Sequence, residues 1–592
     1  MGHGTSRATD CPSGTDATDL VGEDPIESRE VPRCLAFFLA VMMRLRVWIG
    51  LAWGVWGGVA GSLLGGERPN IVSVMVDDMG FSDIGCYGGE IETPNLDRLA
   101  ANGLRFKQFY NTGRCCPTRA SLMTGLHPHQ AGIGHMTETP EHPSPLFNEP
   151  YQGYLNQHCV TLAQVLRRAG YHTLMSGKWH LSYHRKEGWP LQRGFDRYFG
   201  IISGASHYVK PEGFRGLTLM NDSVEAPEGF YVTDAFTDYA MEFVETSLDK
   251  EEKPFFLYLA YTAPHWPLQA KSGDLAKYEG MYAQGWEAVS QKRWQRQVEM
   301  GLIDPDWTRA PHEGPSWSSL DEETRSILDL RMAAYAACID AVDQNVGKLM
   351  AKLEALGKLD NTVFFFLSDN GACAEGGILG AGDEESVRNP LSTKGTAGPR
   401  CGRAWANASN TPFRLYKHFV HEGGMATPLV VHWPSGIPAG RRGSWVEDLG
   451  YLPDFMPTCL ELAGADYPTR WEGKDIPHHA RTSLVPLLMA SDKPADRGAV
   501  YWEHEGNRAM REGDWKLVWS RQGPWELYDL SKDRTEMHDL TESFPRRKAE
   551  MQRRWEGWAR RTGVQFQTSF SYYQMIRDYR TSQSLAQYGR GG

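Results

Sequence analysis

Three carboxylates and one carboxamide follow two short apolar runs of the sequence. Asp77 and Asp78 come directly after one run, and Asp369 and Asn370 come shortly after another. Such runs are typical of strands in a buried parallel sheet, and ligands of open α/β sheets bind at the carboxyl ends of the strands. Either pair alone would more often cap a helix or open a turn than bind a metal. Together, these oxygen ligands suit Ca²⁺, with Mg²⁺ as the alternative, better than zinc.

Basic and imidazole side chains follow two further apolar runs. Lys178 and His180 come after the run at 173–175, and His265 comes after the run at 255–260. A single lysine or histidine is more often solvated or packed than catalytic. The shared position after strands, rather than the residue type, indicates that these side chains and the carboxylates belong to one site.

The segment from Cys115 to Arg119 adds a nucleophile and a fixed cation. It resembles the Cys-x-Pro-Ser/Thr-Arg signature of the formylglycine-dependent (type I) sulfatases of the alkaline phosphatase superfamily. In that family a formylglycine-generating maturation enzyme oxidises the cysteine to the aldehyde 3-oxoalanine. Cys115 lies two residues before Pro117 and four before Arg119, as the signature requires, so Cys116 takes the variable position. The sequence departs from the family pattern at Leu126, where arginine is usual.

Further segments match motifs of the same family in the expected order across residues 68–560. Lys178 and His180 stand in a Gly-Lys-Trp-His motif whose lysine and histidine contact the sulfate and the formylglycine. His265 matches the histidine beside the leaving-group oxygen, and Lys417 matches the lysine before the Glu-Gly-Gly motif. The later motifs resemble those of bacterial arylsulfatases. The resemblance implies a catalytic set and a metal-binding set: Cys115, Arg119, Lys178, His180, His265 and Lys417 for catalysis; Asp77, Asp78, modified Cys115, Asp369 and Asn370 for the metal.

The resemblance implies a sulfuric ester hydrolase that works in two steps. One hydroxyl of hydrated formylglycine attacks sulfur, Asp369 and the metal favour its alkoxide form, and His265 protonates the leaving oxygen. His180 then takes the proton of the second hydroxyl, which expels sulfate and restores the aldehyde. The metal and the basic side chains neutralise the sulfate oxygens. The substrate is an aryl sulfate or a sulfated carbohydrate.

Two other functions remain open at this point. A phosphonate or phosphate ester hydrolase of the same superfamily can share the metal site and the formylglycine, although the full set of basic residues favours the sulfatase. A non-catalytic binder of sulfated glycans would keep Cys115 unmodified. That second reading leaves a complete catalytic set without a use.

The elements that must position these residues follow from the hydrophobic pattern. Apolar runs alternate with amphipathic stretches, which predicts an α/β fold with a large mixed, mostly parallel sheet sandwiched by helices. The predicted strands are 71–76, 173–175, 255–260, 363–367 and 429–432, and the predicted helices are 96–102, 161–169 and 330–356. Beyond residue 490 strict alternation predicts a smaller antiparallel sheet, followed by a helix at 546–561.

The expected domain order has five parts. They are a non-native extension (1–42), a signal peptide (43–66), the catalytic domain (67–490), an antiparallel-sheet subdomain (491–565) and a tail (566–592). Residues 270–325 form an insertion that could face the substrate. Its four tryptophans could line a pocket, but we expect them to pack the insertion against the core.

Composition excludes several classes of protein. The net charge is −11, and no extended stretch rich in lysine or arginine is present, which argues against a nucleic-acid partner. The 10 cysteines show no paired spacing, so neither a disulfide scaffold nor a cysteine-rich zinc module is indicated.

The predicted signal peptide implies export to the periplasm or the exterior. Arg44 and Arg46 precede an apolar, glycine-rich stretch at 47–64. If this stretch is not cleaved, it is long enough to anchor the chain in a membrane, which is the only membrane contact that the sequence indicates. A signal peptide should begin the chain, so we expect translation to start at Met42 or Met43.

The mature protein should therefore begin after about residue 60, as expected of a cleaved signal peptide. N-terminal sequencing of protein purified from an exporting host checks this. Recovery of residues 1–42 in the mature chain would refute the proposed start.

Overall fold

The computed structural model describes residues 67–565 apart from 138–148, 396, 480, 490–496 and 522. All described residues belong to one compact unit, Gly66–Gly592. The predicted extension, signal peptide and tail lie outside the described residues, and the other domain boundaries stay predictions. None of the helices in the described ranges is long and apolar enough to cross a membrane.

The described ranges contain strands and helices that alternate through most of the chain. The strands are β1 (Asn70–Val76), β2 (Leu104–Phe106), β3 (Phe109–Tyr110), β4 (His172–Lys178), β5 (Arg197–Ile201), β6 (Leu217–Leu219), β7 (Asp222–Val224), β8 (Phe255–Ala260), β9 (Thr362–Ser368), β10 (Leu429–His432), β11 (Ser444–Val446), β12 (Gly450–Tyr451), β13 (Arg470–Trp471), β14 (Lys474–Asp475), β15 (Val500–His504), β16 (Asn507–Glu512), β17 (Trp515–Trp519) and β18 (Trp525–Asp529). The helices are α1 (Pro94–Ala101), α2 (Cys115–Thr124), α3 (Leu162–Arg168), α4 (Val232–Leu248), α5 (Ser272–Tyr278), α6 (Trp286–Glu299), α7 (Glu322–Ala355), α8 (Glu384–Arg388), α9 (Gly402–Ser409), α10 (Glu422–Met425), α11 (Phe455–Ala463), α12 (Val485–Met489) and α13 (Pro545–Thr562).

The main sheet has ten strands in the order β11-β2-β10-β9-β1-β8-β4-β5-β6-β7. The five central strands, from β9 to β5, run parallel, while β10 is antiparallel to β9 and β6 is antiparallel to β5. Every residue of β1, β8 and β9 is buried, as expected of strands that helices cover on both faces. The predicted mixed, mostly parallel sheet is confirmed, and its central strands end side by side.

Helix α7 is longer than the sequence pattern predicted. It begins at Glu322, eight residues before the predicted start, because the Asp321 carboxylate accepts a hydrogen bond from the Thr324 amide and caps the helix. Its first turn is acidic and exposed, so apolar periodicity could not reveal it. At the other end Gly357 adopts a φ of 65°, the left-handed conformation in which glycine commonly ends a helix.

The tryptophans of the insertion pack against the core, as expected. Trp286, Trp294 and Trp317 are buried, and Trp307 is half-buried against the same apolar cluster. Trp286 also makes an edge-on contact with Trp405 of α9, with ring centroids 5.6 Å apart. The insertion is therefore a packed part of the domain rather than an open aromatic surface.

The C-terminal sheet is an antiparallel meander in the order β15-β16-β17-β18, and α13 packs on it through Met551, Trp555 and Trp558. This confirms the predicted smaller sheet and its helix. The helix contributes aromatic side chains that the short strands need to bury their apolar face.

A buried ion cluster joins the C-terminal sheet to the catalytic part of the chain. Lys516 Nζ of β17 lies 2.8 Å from Glu422 Oε1 and 2.9 Å from Glu536 Oε1, and Arg534 Nε lies 2.8 Å from Glu422 Oε2. None of these side chains is more than 4 % exposed. Glu422 opens α10, so the cluster holds the segment that directly follows Lys417.

Replacing Lys516 by methionine should destabilise the fold by about 3–5 kcal/mol, because two buried carboxylates lose their shared cation. Urea denaturation measures the free energy of unfolding. Lys532→Met is the matched control, since the Lys532 side chain is 82 % exposed beside Asp529 and should change stability by less than about 1 kcal/mol. Equal effects of the two substitutions would contradict the role assigned to the cluster.

Candidate active site

The predicted metal ligands meet where β1 and β9 end. Asp77 and Asp78 follow β1 directly, and the Asp369 amide donates to the Val76 carbonyl at 3.0 Å, which continues the pairing of the two strands by one residue. The Asp78 amide donates to Asp369 Oδ1 at 3.3 Å. Asn370 Nδ2 donates to Asp78 Oδ1 at 2.6 Å. Adjacent parallel strands thus bring residues almost 300 positions apart into direct contact.

Each carboxylate is paired with a cation from a different element. Lys178 Nζ at the end of β4 lies 2.6 Å from Asp77, and Arg119 Nη2 of α2 lies 2.8 Å from Asp369. Lys417 Nζ, in the loop before α10, lies 2.7 Å from Asp78. All six side chains are at most 1 % exposed. We call this arrangement the charge ring.

The charge ring does not fully compensate its carboxylates. Burial raises the pKa of Asp77 to about 6, despite the attraction of Lys178, and repulsion by Asp78 adds to the shift. Burial and repulsion by Asp77 also raise the pKa of Asp369. Burial opposes ionisation of Asp78 too, but attraction to Lys417 and His265 lowers its pKa overall. Additional positive charge near Asp77 and Asp369 would favour their ionised forms.

The donor atoms fit a hard divalent cation. Asp77 Oδ1 and Asn370 Oδ1 are buried and have no hydrogen-bond partner among the described residues. The Asn370 amide nitrogen donates to Asp78 and to the Gly371 carbonyl, which orients the free oxygen. Ligand atoms of Asp77, Asp78 and His265 all lie within 4.8 Å of one another. Oxygen atoms with unmet bonding capacity are what Ca²⁺ and Mg²⁺ require.

Cys115 is the first residue of α2 and is 2 % exposed. A hydrogen bond from Cys116, and the nearby Lys178 and His180, lower the pKa of the Cys115 thiol against the effect of burial. Burial raises the pKa of Cys116. The two adjacent thiols therefore differ in their environment, and the one that the family signature selects lies where the helix N-terminus favours negative charge.

His180 is held in an unusual backbone conformation beside Cys115. Its φ is 55°, and a side-chain nitrogen lies within 4.8 Å of the Cys115 thiol. Burial lowers the pKa of His180 to about 4, and its Nδ1 has no partner among the described residues. Gly204 lies against the ring, where a Cβ atom would come within 2.4 Å. This neutral imidazole can accept a proton near Cys115.

His265 follows β8 and lies beside Asp78 of the charge ring. Its Nδ1 is 2.6 Å from the Trp266 carbonyl, which assigns the proton to Nδ1, and its Nε2 is 3.5 Å from Asp78 Oδ2. Burial lowers the pKa of His265 to about 4. A bound anion would raise this pKa, which is the condition for the residue to act as an acid.

The structure brings every predicted site residue to this one edge of the sheet, and their individual roles stay predictions. It adds a polar rim that sequence reasoning missed. Arg114 Nη1 lies 2.8 Å from Glu505 Oε1, Glu375 Oε1 lies 3.4 Å from Arg114 Nη2, and His418 Nδ1 lies 3.1 Å from Glu505 Oε2. Buried His504 completes a group with His418 and Glu505. Only the positions of Arg114 before Cys115 and of His418 after Lys417 could have indicated this rim.

Comparison with known proteins places the chain among the sulfatases. A family profile described as Sulfatase matches residues 69–465, and one described as N-sulphoglucosamine sulphohydrolase, C-terminal, matches residues 413–556. An uncharacterized sulfatase of Schizosaccharomyces pombe is 33% identical over 536 residues, which cover 84% of this chain and 94% of the relative. The arylsulfatase of Klebsiella aerogenes is 34% identical over 416 residues, which cover 68% of this chain and 88% of the relative.

A solved structure has a similar fold. The crystal structure of Ps i-CgsB in complex with k-i-k-neocarrahexaose superimposes with a TM-score of 0.61 at 26% identity, over 86% of this chain and 96% of that one. The Sulfatase profile alone covers more than half of the 592 residues. On these matches, and on a sheet whose strand ends hold the residues expected from the motifs, the chain belongs to the sulfatase family of the alkaline phosphatase superfamily and is a sulfatase enzyme.

Proposed function

We propose that this sulfatase hydrolyses sulfate monoesters with a formylglycine made from Cys115 and with a bound divalent cation, Ca²⁺ or alternatively Mg²⁺. The observation that carries the proposal is the charge ring, which lies beside the N-terminus of α2 and leaves two buried oxygens without partners in the described ranges. A sulfate ester is anionic, so a catalyst must neutralise its oxygens before a nucleophile can reach sulfur.

Different residues of the chain would bind the cation, neutralise the ester oxygens and supply the nucleophile. Asp77, Asp78, Asp369 and Asn370 would hold the cation, which would supply positive charge to the ester oxygens. Arg119, Lys178 and Lys417 are already buried and oriented, so they neutralise charge without the cost of reorganisation. The formylglycine at Cys115 would supply the attacking hydroxyl and a second hydroxyl whose proton can later be removed.

The two histidines lie where proton transfers are needed. His180 lies beside Cys115, and its low pKa keeps it neutral and able to accept a proton. His265 lies beside Asp78 and would protonate the leaving oxygen once the anion is bound. A separate base beside Cys115 and acid beside Asp78 fit an in-line displacement at sulfur.

The substrate class that we propose is an aryl sulfate or a sulfated carbohydrate. The arylsulfatase relative supports the first, and the related structure in complex with k-i-k-neocarrahexaose supports a carbohydrate. Export through the predicted signal peptide, and a formylglycine-generating enzyme as partner, belong to the same proposal. A phosphonate or phosphate ester hydrolase remains the alternative that the assay below distinguishes.

Cys115→Ala should abolish hydrolysis of 4-nitrophenyl sulfate, because it removes the nucleophile, whereas Cys116→Ala should retain activity. Protein coexpressed with a formylglycine-generating enzyme should show a loss of about 18 Da at Cys115 by peptide mass spectrometry, as thiol becomes aldehyde. Loss of activity only in Cys116→Ala would reverse the assignment. Faster hydrolysis of 4-nitrophenyl phosphate or a phosphonate ester than of the sulfate would favour the alternative.

The purified protein should contain calcium or magnesium, and Asp77→Ala should lower the bound metal because it removes a carboxylate with an unpartnered oxygen. Elemental analysis measures this directly. Asp306→Ala is the control, since Asp306 is exposed and distant in sequence from the site. Stoichiometric zinc, or equal metal content in both variants, would overturn the metal assignment.

A further inference from the structure

Within the described part of the chain, one arginine beside the active site has no acceptor for its charge. The Arg400 guanidinium carbon lies 4.0 Å from the centre of the Trp266 ring, in a cation–π contact. Among the described residues it has no hydrogen-bond or ion-pair partner, and its Nε is buried. Half-buried arginines elsewhere, such as Arg331 and Arg414, donate to carbonyls or carboxylates. A guanidinium kept partly from water without an acceptor is costly unless a ligand supplies one.

Hydrogen bonds fix the backbone around Arg400, so the position of this residue is a defined feature of the fold. Arg400 and Ala381 exchange two backbone hydrogen bonds, at 2.9 and 3.1 Å. The neighbouring Pro399 carbonyl accepts from the Leu268 amide at 3.0 Å, which ties the loop to the segment that carries His265. Gly380 has a φ of 82° and passes so close to the Arg400 carbonyl that a Cβ atom there would lie at 2.1 Å. A side chain at Gly380 would push this loop away.

The distance between Arg400 and His265 indicates which part of the active site Arg400 belongs to. The His265 and Trp266 ring centres are 4.7 Å apart, and the Arg400 guanidinium carbon lies 4.0 Å from the Trp266 ring centre. The distance from the guanidinium to the imidazole therefore cannot exceed the sum of these two distances. His265 is the residue that we place at the leaving-group oxygen. The Nε2 edge of His265 faces Asp78 of the charge ring at 3.5 Å, and its Nδ1 edge faces the Trp266 carbonyl at 2.6 Å. Since we place the sulfate at the charge ring, we assign Arg400, which stacks on Trp266, to the side of the leaving alcohol.

We propose that Arg400, held by Trp266, binds a second anionic group on the leaving alcohol, such as a carboxylate or a further sulfate. The inference rests on the proposed function because it uses the placement of the leaving group at His265. It makes the preferred substrate a polyanion, such as a multiply sulfated or uronate-containing carbohydrate. A planar guanidinium binds both groups through paired hydrogen bonds. Trp266 is available to help, since its Nε1 is also buried without a partner in the described chain.

The test compares matched aryl sulfates in wild type and Arg400→Met. The substrates are 3- and 4-carboxyphenyl sulfate, each with its neutral isostere, the carbamoylphenyl sulfate, so that only the second charge differs. For at least one isomer, the wild-type preference in kcat/KM for the carboxylate over the amide should fall about tenfold in Arg400→Met. Raising the salt concentration should shrink the wild-type preference, and Arg400→Lys should keep part of it. Phenylene bis(sulfate), measured alongside, shows whether a second sulfate is preferred to a carboxylate.

Arg547→Met is the matched control, since Arg547 stacks on Trp515 at 4.3 Å in the C-terminal part of the chain. It should keep the wild-type preference. If both sulfates are hydrolysed but the preference is the same in wild type and Arg400→Met, the anion site is refuted while the sulfatase assignment stands.

Binding to Cys115→Ala protein separates the remaining outcomes without turnover. Dissociation constants for the carboxylate and the amide, with and without Arg400→Met, should show the same tenfold difference. If wild type hydrolyses neither sulfate but this difference is present, the proposed reaction fails and the anion site stands. If the difference is absent here too, the anion site is refuted.

Discussion

Burial of several carboxylates at one point is the constraint on which the rest of this structure depends. Parallel strands that are adjacent in a sheet end together. The pairing of β1 with β9 therefore brings Asp77, Asp78 and Asp369 close to one another. Unpaired charges in such a place would oppose folding by several kcal/mol each. In the fold each of these carboxylates is paired with one cationic side chain, and every cation comes from a different segment. Electrostatic compensation therefore fixes the positions of α2, β4 and the loop at Lys417 at the same time.

The C-terminal sheet supports this arrangement indirectly. Lys516 and Arg534 meet Glu422, which follows Lys417 by five residues, so two charge clusters share one short stretch of backbone. The rim extends the link, because Glu505 comes from the turn after β15 and contacts both Arg114 and His418. The C-terminal sheet is thus a support for the active site and also lines part of its edge.

The sequence allowed the central sheet and the core of the candidate site to be predicted, because both follow from local patterns. Strands buried on both faces appear as continuous apolar runs, and their ends mark the polar residues that matter. Other features depend on contacts between distant segments. The rim at Glu375 and Glu505 has no local signal, and the early start of α7 depends on a single capping carboxylate. Arg400 lies in an irregular loop, where only the folded chain shows which aromatic ring it contacts.

The burial of Cys115 determines whether enzymatic oxidation of its thiol can follow folding of the chain. Its thiol is 2 % exposed at the start of a helix whose every residue is buried, so another enzyme cannot reach it in the folded molecule. Any enzymatic oxidation of this thiol must come first and folding second. The cluster that secures the loop at Lys417 needs Glu536, and synthesis from residue 115 to that point takes on the order of a minute at typical rates of translation. The late position of the stabilising sheet in the sequence would give the proposed maturation step time to finish.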